Sequence, residues 1–199
     1  TNLVVGGSNG GTDADKEGPQ IKAYLNDELF VNGGITNQNP VLIVKLADTS
    51  GINTAGTGIG HDIIATLDND NNRYFILNDF YQGELNSYQR GSVRFQLPGL
   101  DPGPHTLKIK AWDVVNNSNE ILLDFVVAND AELELSHVLN YPNPFTNATT
   151  FWFEHNKPGQ PLAVQLQIMT ITGRVIKTQE QLVTTAGNRS TDIAWDGRD

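Results

Sequence analysis

Cysteine is absent from the 199 residues. That excludes a disulfide framework, a thiolate-ligated zinc or iron–sulfur site, and a cysteine nucleophile within the chain. It leaves the redox compartment open. Basic residues are few: 13 Lys and Arg stand against 23 Asp and Glu, giving a net charge of −10. Such a charge repels a phosphate backbone, and no run of Lys or Arg overcomes it locally. Nucleic acid and anionic membrane surfaces are therefore poor partners. No apolar stretch approaches the roughly 20 residues of a spanning helix, so no membrane insertion is expected. The chain opens on Thr1-Asn2-Leu3 rather than a basic stretch and a long apolar run, so no signal peptide is expected. It reads as a piece cut from something longer.

Helix formers are thin as well, with one Met and no window of sustained helical periodicity. Turn residues are plentiful: 19 Gly, 9 Pro and 21 Asn. This is an all-β composition, and the length suits one large domain or two small ones.

Residues 1–18 read as a linker or the end of a preceding domain. Leu3-Val4-Val5 could form a short strand, and Gly6 to Gly18 carries no apolar face to bury. From Pro19, short strands follow one another. Ile21, Ala23 and Leu25 alternate with polar neighbours, and Leu29-Phe30-Val31 reads as a short second piece. Val41 to Ala47 is apolar at nearly every position, as in a strand covered on both faces. Ile63–Leu67 and Arg73–Leu77 flank Asp68-Asn-Asp-Asn-Asn72 as a hairpin with a longer loop. Val93–Leu97, Leu107–Ala111 and Ile121–Val127 complete seven or eight strands over residues 19–129, the pattern of a β-sandwich. Asp101-Pro-Gly-Pro-His105-Thr-Leu107 has the form of the corner entering the penultimate strand of an immunoglobulin-like sandwich. There a ring bonds back to the backbone, and His105 stands where Tyr is usual.

Asn129-Asp130-Ala131-Glu132 is a polar break, and residues 130–199 form a second block. Two prolines in Pro142-Asn143-Pro144 stop ladder pairing. Val164, Leu166 and Ile168 alternate with Gln165 and Gln167, and Thr172-Gly173 turns the chain into Val175-Ile176. The expected cores are Leu42, Val44, Phe95, Ile109 and Phe125 in the first block, and Phe153, Val164, Leu166 and Ile168 in the second.

Four spaced segments of the second block come in a recognisable order. They are Asn140-Tyr-Pro-Asn-Pro-Phe145, Thr149-Thr-Phe151, Gln167-Ile-Met-Thr-Ile-Thr-Gly173 and Trp195-Asp-Gly-Arg-Asp199. This order resembles the immunoglobulin-like domain of flagellar hook-capping (FlgD-type) proteins. In the first block, Asp13-x-Asp-Lys-Glu-Gly-Pro19, Asp48-x-Ser-Gly-Ile-Asn53, Gly58-Ile-Gly-His-Asp62 and the Leu100-to-Asn117 stretch are similar to another region. That region follows the catalytic domain of gingipain-type cysteine peptidases, in particular the PorU-like sortases of the Bacteroidetes type IX secretion system. The resemblance implies two tandem immunoglobulin-like sandwiches, the second unfinished at Asp199 for want of its last strand. It also implies a secreted or outer-membrane-surface location. The implied partners are the catalytic domain of the parent chain and outer-membrane secretion components.

Several short motifs invite chemistry. Gly60-His61-Asp62 has a His after Gly, but a catalytic His needs a nucleophile in reach, and neither Cys nor a Gly-x-Ser-x-Gly elbow is present. Asp68-Asn-Asp70-Asn-Asn72 opens like a calcium loop, yet Arg73 stands where the turn needs Gly and no Glu follows at the twelfth position. Asn116, Asn147 and Asn188 begin Asn-x-Ser/Thr triplets, which are expected by chance in a chain so rich in Asn. Four scattered His residues form no metal cluster. Trp112, Trp152 and Trp195 could make a sugar-stacking face. No catalytic, cofactor-binding or metal residue is assigned, and no cofactor is expected. The resulting reading is a non-catalytic spacer and interaction region of a gingipain-type peptidase. The alternative is an extracellular adhesin or carbohydrate-binding module.

Overall fold

Fourteen strands form among the described residues, which are 15–55, 60–129 and 131–198 of a computed structural model. Nine lie before residue 130: β1 (Gln20–Leu25), β2 (Ile35–Thr36), β3 (Val41–Ala47), β4 (Ile64–Leu67), β5 (Tyr74–Ile76), β6 (Tyr81–Gly83), β7 (Arg90–Gln96), β8 (Gly103–Trp112) and β9 (Ser118–Val127). Five follow: β10 (Leu135–Tyr141), β11 (Thr149–His155), β12 (Leu162–Met169), β13 (Val175–Val183) and β14 (Ile193–Trp195). A 3-10 turn covers Asn78–Phe80. The chain is all-β.

The first nine strands make two sheets, ordered β1-β3-β7-β6 and β2-β9-β8-β4-β5. Every pairing is antiparallel except β2 with β9. Period-two alternation aims one face of each strand at the other sheet. On β8, Leu107, Ile109 and Ala111 are buried while Lys108 and Lys110 point outward; on β9, Leu123, Phe125 and Val127 answer them. Leu42, Val44 and Leu46 of β3 complete the core from the facing sheet. Ile43 is buried on the opposite face of the same strand, and Lys45 on that face is exposed and pairs with Glu28. The near-continuous apolar run of β3 follows from that double coverage.

The later strands form a three-stranded sheet, β10-β11-β14, and a two-stranded one, β12-β13. Alternation is equally regular here but burial is shallower. Among the described residues beyond 130, the buried hydrophobic side chains are Phe153, Val183 and Ile193. Val164, Leu166 and Ile168 face inward yet stay half-exposed, because a groove of about 300 Å³ opens between the sheets beside Leu135, Val138 and Phe151. The expected core of this block is thus corrected: Phe153 belongs to it fully, the β12 residues only in part.

Two further expectations change. Leu29-Phe30-Val31 is not a strand. Asp27 Oδ1 accepts the Leu29 N–H at 2.9 Å and Phe30 N bonds back to Asp27 O, closing a turn that leaves Leu29 and Val31 exposed. The strand falls later, at β2, where two residues pair with Val126 and Val127. Residues 15–18, read as linker, are fastened to the first sandwich: Asp15 accepts from Thr49 and Ser50, and a Cβ on Gly18 would overlap the Ser118 backbone. Leu3-Val4-Val5 lies outside the described residues.

Candidate functional site

Three polar constellations stand out from the frame. The first is the corner into β8. His105 Nε2 lies 2.8 Å from the Asp101 carbonyl, which is the back-bond expected of this corner, and Nδ1 lies 2.8 Å from Asp68 Oδ2. Asp68 Oδ1 also accepts the Thr106 N–H at 3.1 Å, and Arg73 approaches at 3.5 Å. Burial pulls the Asp68 pKa upward but is outweighed by these donors, so it sits below the ordinary carboxylate value. Asp68 and Asn69 both have positive φ, and the Asp70 N–H bonds to the Leu67 carbonyl, a tight hairpin turn. Asp70 in turn accepts from Asn72. The Asp68–Asn72 loop is thus organised by its own turn and by the corner.

A carboxylate whose folded pKa is lowered stabilises the fold above its unfolded value, near 4, and loses that contribution as pH falls through the folded one. Asp68→Asn is therefore expected to lower stability by about 1–2 kcal/mol at neutral pH, the scale of a charge-assisted bond. The deficit relative to the native chain should shrink as pH falls below about 4. Urea melts across that range check it; a deficit independent of pH would show that the carboxylate charge is not what matters.

The second constellation brings together Asp15, Asp48 and Asp113, one oxygen of each lying within 4.8 Å of the others. Asp113 is fully buried; it accepts the Val115 and Asn117 N–H groups and the Asn117 side-chain amide. Asp48 Oδ1 accepts from Ser50 N and Gly51 N. Burial raises the Asp48 pKa, the Ser50 and Gly51 N–H groups oppose that, and the Asp113 and Asp15 charges add to it. Asp15 is lowered, first by the Ser50 hydroxyl and then by Glu17 N and Thr49. Carboxylate oxygens of this kind suit a hard cation such as calcium. Each carboxylate here also ties down a loop through backbone donors. Separations of tens of residues hid this cluster from the sequence reading, which had no local spacing to catch.

The third lies where the two pairs of sheets meet. Asn26, at φ +65° after β1, donates through Nδ2 to Asn188 Oδ1 at 2.7 Å and also lies near Thr36 and Asn37. Asn188 is buried; its amide donates to the His155 carbonyl at 2.8 Å, and the His155 N–H donates to the Asn188 carbonyl at 2.7 Å. Asp27 packs on Gly187 so closely that any Cβ there would overlap its carboxylate. Glu154 is 5 % exposed and accepts from Ser136, and its Oε2 lies 2.8 Å from His137 Nδ1. The reach of Asn26 to residue 188 has no local signal in the sequence.

The sequence candidates are dispersed by comparison. His61 is half-buried against Trp112, ring centroids 4.4 Å apart. Trp112, Trp152 and Trp195 lie on β8, β11 and β14. Lys110 covers the first, Arg189 the second, and Phe145 packs edge-on against the third. Trp112 thus stands in a different sheet from the other two. Asn116 and Asn147 are exposed, whereas Asn188 is buried in the junction.

No protein-family model and no curated protein matches the sequence. A solved structure does: the crystal structure of dimeric latent PorU from Porphyromonas gingivalis, with 31% identity and a TM-score of 0.56 over 92% of this chain. The chain is similar to part of PorU. It spans 17% of the length of that protein, so the likeness concerns one region of PorU and not the whole. With all-β architecture and identity at this level running together, the chain has the character of a PorU-like region. No helix among the described residues is long and apolar enough to cross a membrane.

Proposed function

We propose that this chain is a non-catalytic β-sandwich region of a secreted or cell-surface gingipain-type cysteine peptidase associated with type IX secretion. It serves as spacer and interaction module. The observation that carries this reading is the likeness to PorU over 92% of the chain and only 17% of PorU. The absence of cysteine supports it, since a cysteine peptidase's nucleophile must then come from elsewhere in the parent. On this reading the first sandwich spans residues 19–129, and the later sheets form a FlgD-type immunoglobulin-like domain beginning near residue 130. The hairpin of β12 and β13 and the Tyr-Pro-Asn-Pro-Phe145 turn after β10 support that second assignment. The polar junction, with buried Asn188 and His155, favours a fixed angle between the two units over a free hinge. Its partners are the parent's catalytic domain and outer-membrane secretion components.

The purified chain is expected to turn over neither unfolded protein nor small Arg and Lys esters. Turnover that survives purification and disappears on His61→Ala overturns the reading. Retention on polysaccharide matrices that Trp152→Ala abolishes would favour the adhesin alternative instead.

A further inference from the structure

His155 sits at the end of β11 with no solvent exposure, and both ring nitrogens are committed. Nδ1 accepts the Lys157 N–H at 3.2 Å, which places the ring proton on Nε2; that nitrogen lies 3.0 Å from Thr185 Oγ1. Thr185 Oγ1 then donates to the Gly187 carbonyl at 3.0 Å. The neutral Nε2–H tautomer thus begins a chain of bonds running through Thr185 to Gly187, the residue on which Asp27 of the first sandwich rests. The backbone of the same histidine holds Asn188, which accepts from Asn26. One residue supports both contacts across the junction, its ring the first and its backbone the second. The ring accepts the Lys157 N–H only while Nδ1 carries no proton.

We propose that His155 makes the junction acid-sensitive: a proton taken from solvent at Nδ1 removes the acceptor of the Lys157 N–H and sets two donors against each other. The ring and the end of β11 then shift, and that shift loosens Gly187 and Asn188 from Asp27 and Asn26. The charged group that acts on the ring is Asp27, from the turn after β1; the other charged residues of the adjoining segments are Glu154 and Lys157, beside His155 in the chain, and Arg189, beside Asn188. Glu154 is turned toward Ser136 and His137, and Arg189 toward Asp192 and the Trp152 ring. Burial is the largest influence and holds the ring's pKa below its ordinary value, while the Asp27 charge opposes it and is smaller. A histidine lowered in this way costs nothing above its unfolded pKa, near 6.5. Below that value the opened state binds the proton first, and junction stability falls progressively.

The test uses the full chain. At about pH 7.5, where an ordinary histidine is mostly neutral, the ring nitrogen resonances of His155 should report Nε2–H with Nδ1 unprotonated. Lowering the pH to about 5 should move the Asn26 and Asn188 side-chain amide signals together with His155. It should also speed proteolysis within residues 128–134 about five- to tenfold, the equivalent of one buried hydrogen bond. His137→Gln, at the neighbouring exposed histidine, should keep this response, and His155→Gln should flatten it. The proposal is overturned if the neutral ring carries its proton on Nδ1, or if His155 titrates while both amides stay still. It is also overturned if His155→Gln responds to acid like the native chain; should that variant not fold, the resonances of the native chain decide.

Discussion

Phe125→Ala should remove about 3–5 kcal/mol from the first sandwich, while Leu166→Ala should cost only about 1 kcal/mol. Phe125 is 1 % exposed on β9, stacked 5.7 Å from the His105 ring and facing the buried residues of β3. Its truncation opens a cavity that neighbours locked in two ladders cannot fill. Leu166 lies on β12 beside an open groove, so part of its surface already meets water and less is lost on truncation. A domain of this size has roughly 5–15 kcal/mol in total, so the first substitution takes a large share. Urea melts followed by a probe in each half should show the first transition displaced strongly by Phe125→Ala and the second displaced weakly by Leu166→Ala. Equal costs would mean that the β12 face is buried in solution by something the chain supplies.

That contrast also shows what a sequence can and cannot carry. Alternation of Val164, Leu166 and Ile168 identified an inward face correctly, because side-chain direction is local to a strand. Depth of burial is not local. It depends on how much of the facing sheet covers the strand, and β10, β11 and β14 leave a gap there. The hairpin from β4 to β5 and the corner at His105 were legible for the same reason as the alternation: turn residues and a ring four positions from its acceptor are short-range signals. The run Leu29-Phe30-Val31 misled because Asp27 captures the Leu29 N–H in a turn, and a side-chain bond of this kind competes with ladder pairing without altering hydropathy. The three-carboxylate cluster and the Asn26–Asn188 contact join residues far apart in the chain. Neither is written in any window short enough to read.

The junction provides the last expected result. Gly187→Ala should weaken coupling between the two halves by about 1–3 kcal/mol, the usual cost of overpacking. The new Cβ would overlap the Asp27 carboxylate, and Asp27 can move aside only by giving up its bond to the Leu29 N–H. Moving it also strains the neighbouring bond from Asn26 to Asn188. The effect belongs to packing, since Gly187 is not among the positive-φ glycines. Pairing the substitution with Asp27→Ala isolates that cause: removing the carboxylate makes room for the methyl group, so the double variant should pay less than the sum of the singles. The measurements are a calorimetric trace, expected to show the transitions of the two halves further apart in Gly187→Ala than in the native chain, and the rate of proteolysis within residues 128–134, expected to rise. If Gly187→Ala melts like the native chain, or if its penalty is unchanged by Asp27→Ala, the two halves are not held through this contact. A spacer that keeps a fixed angle would then rely on the asparagine pair and on the approach of β11 to β2.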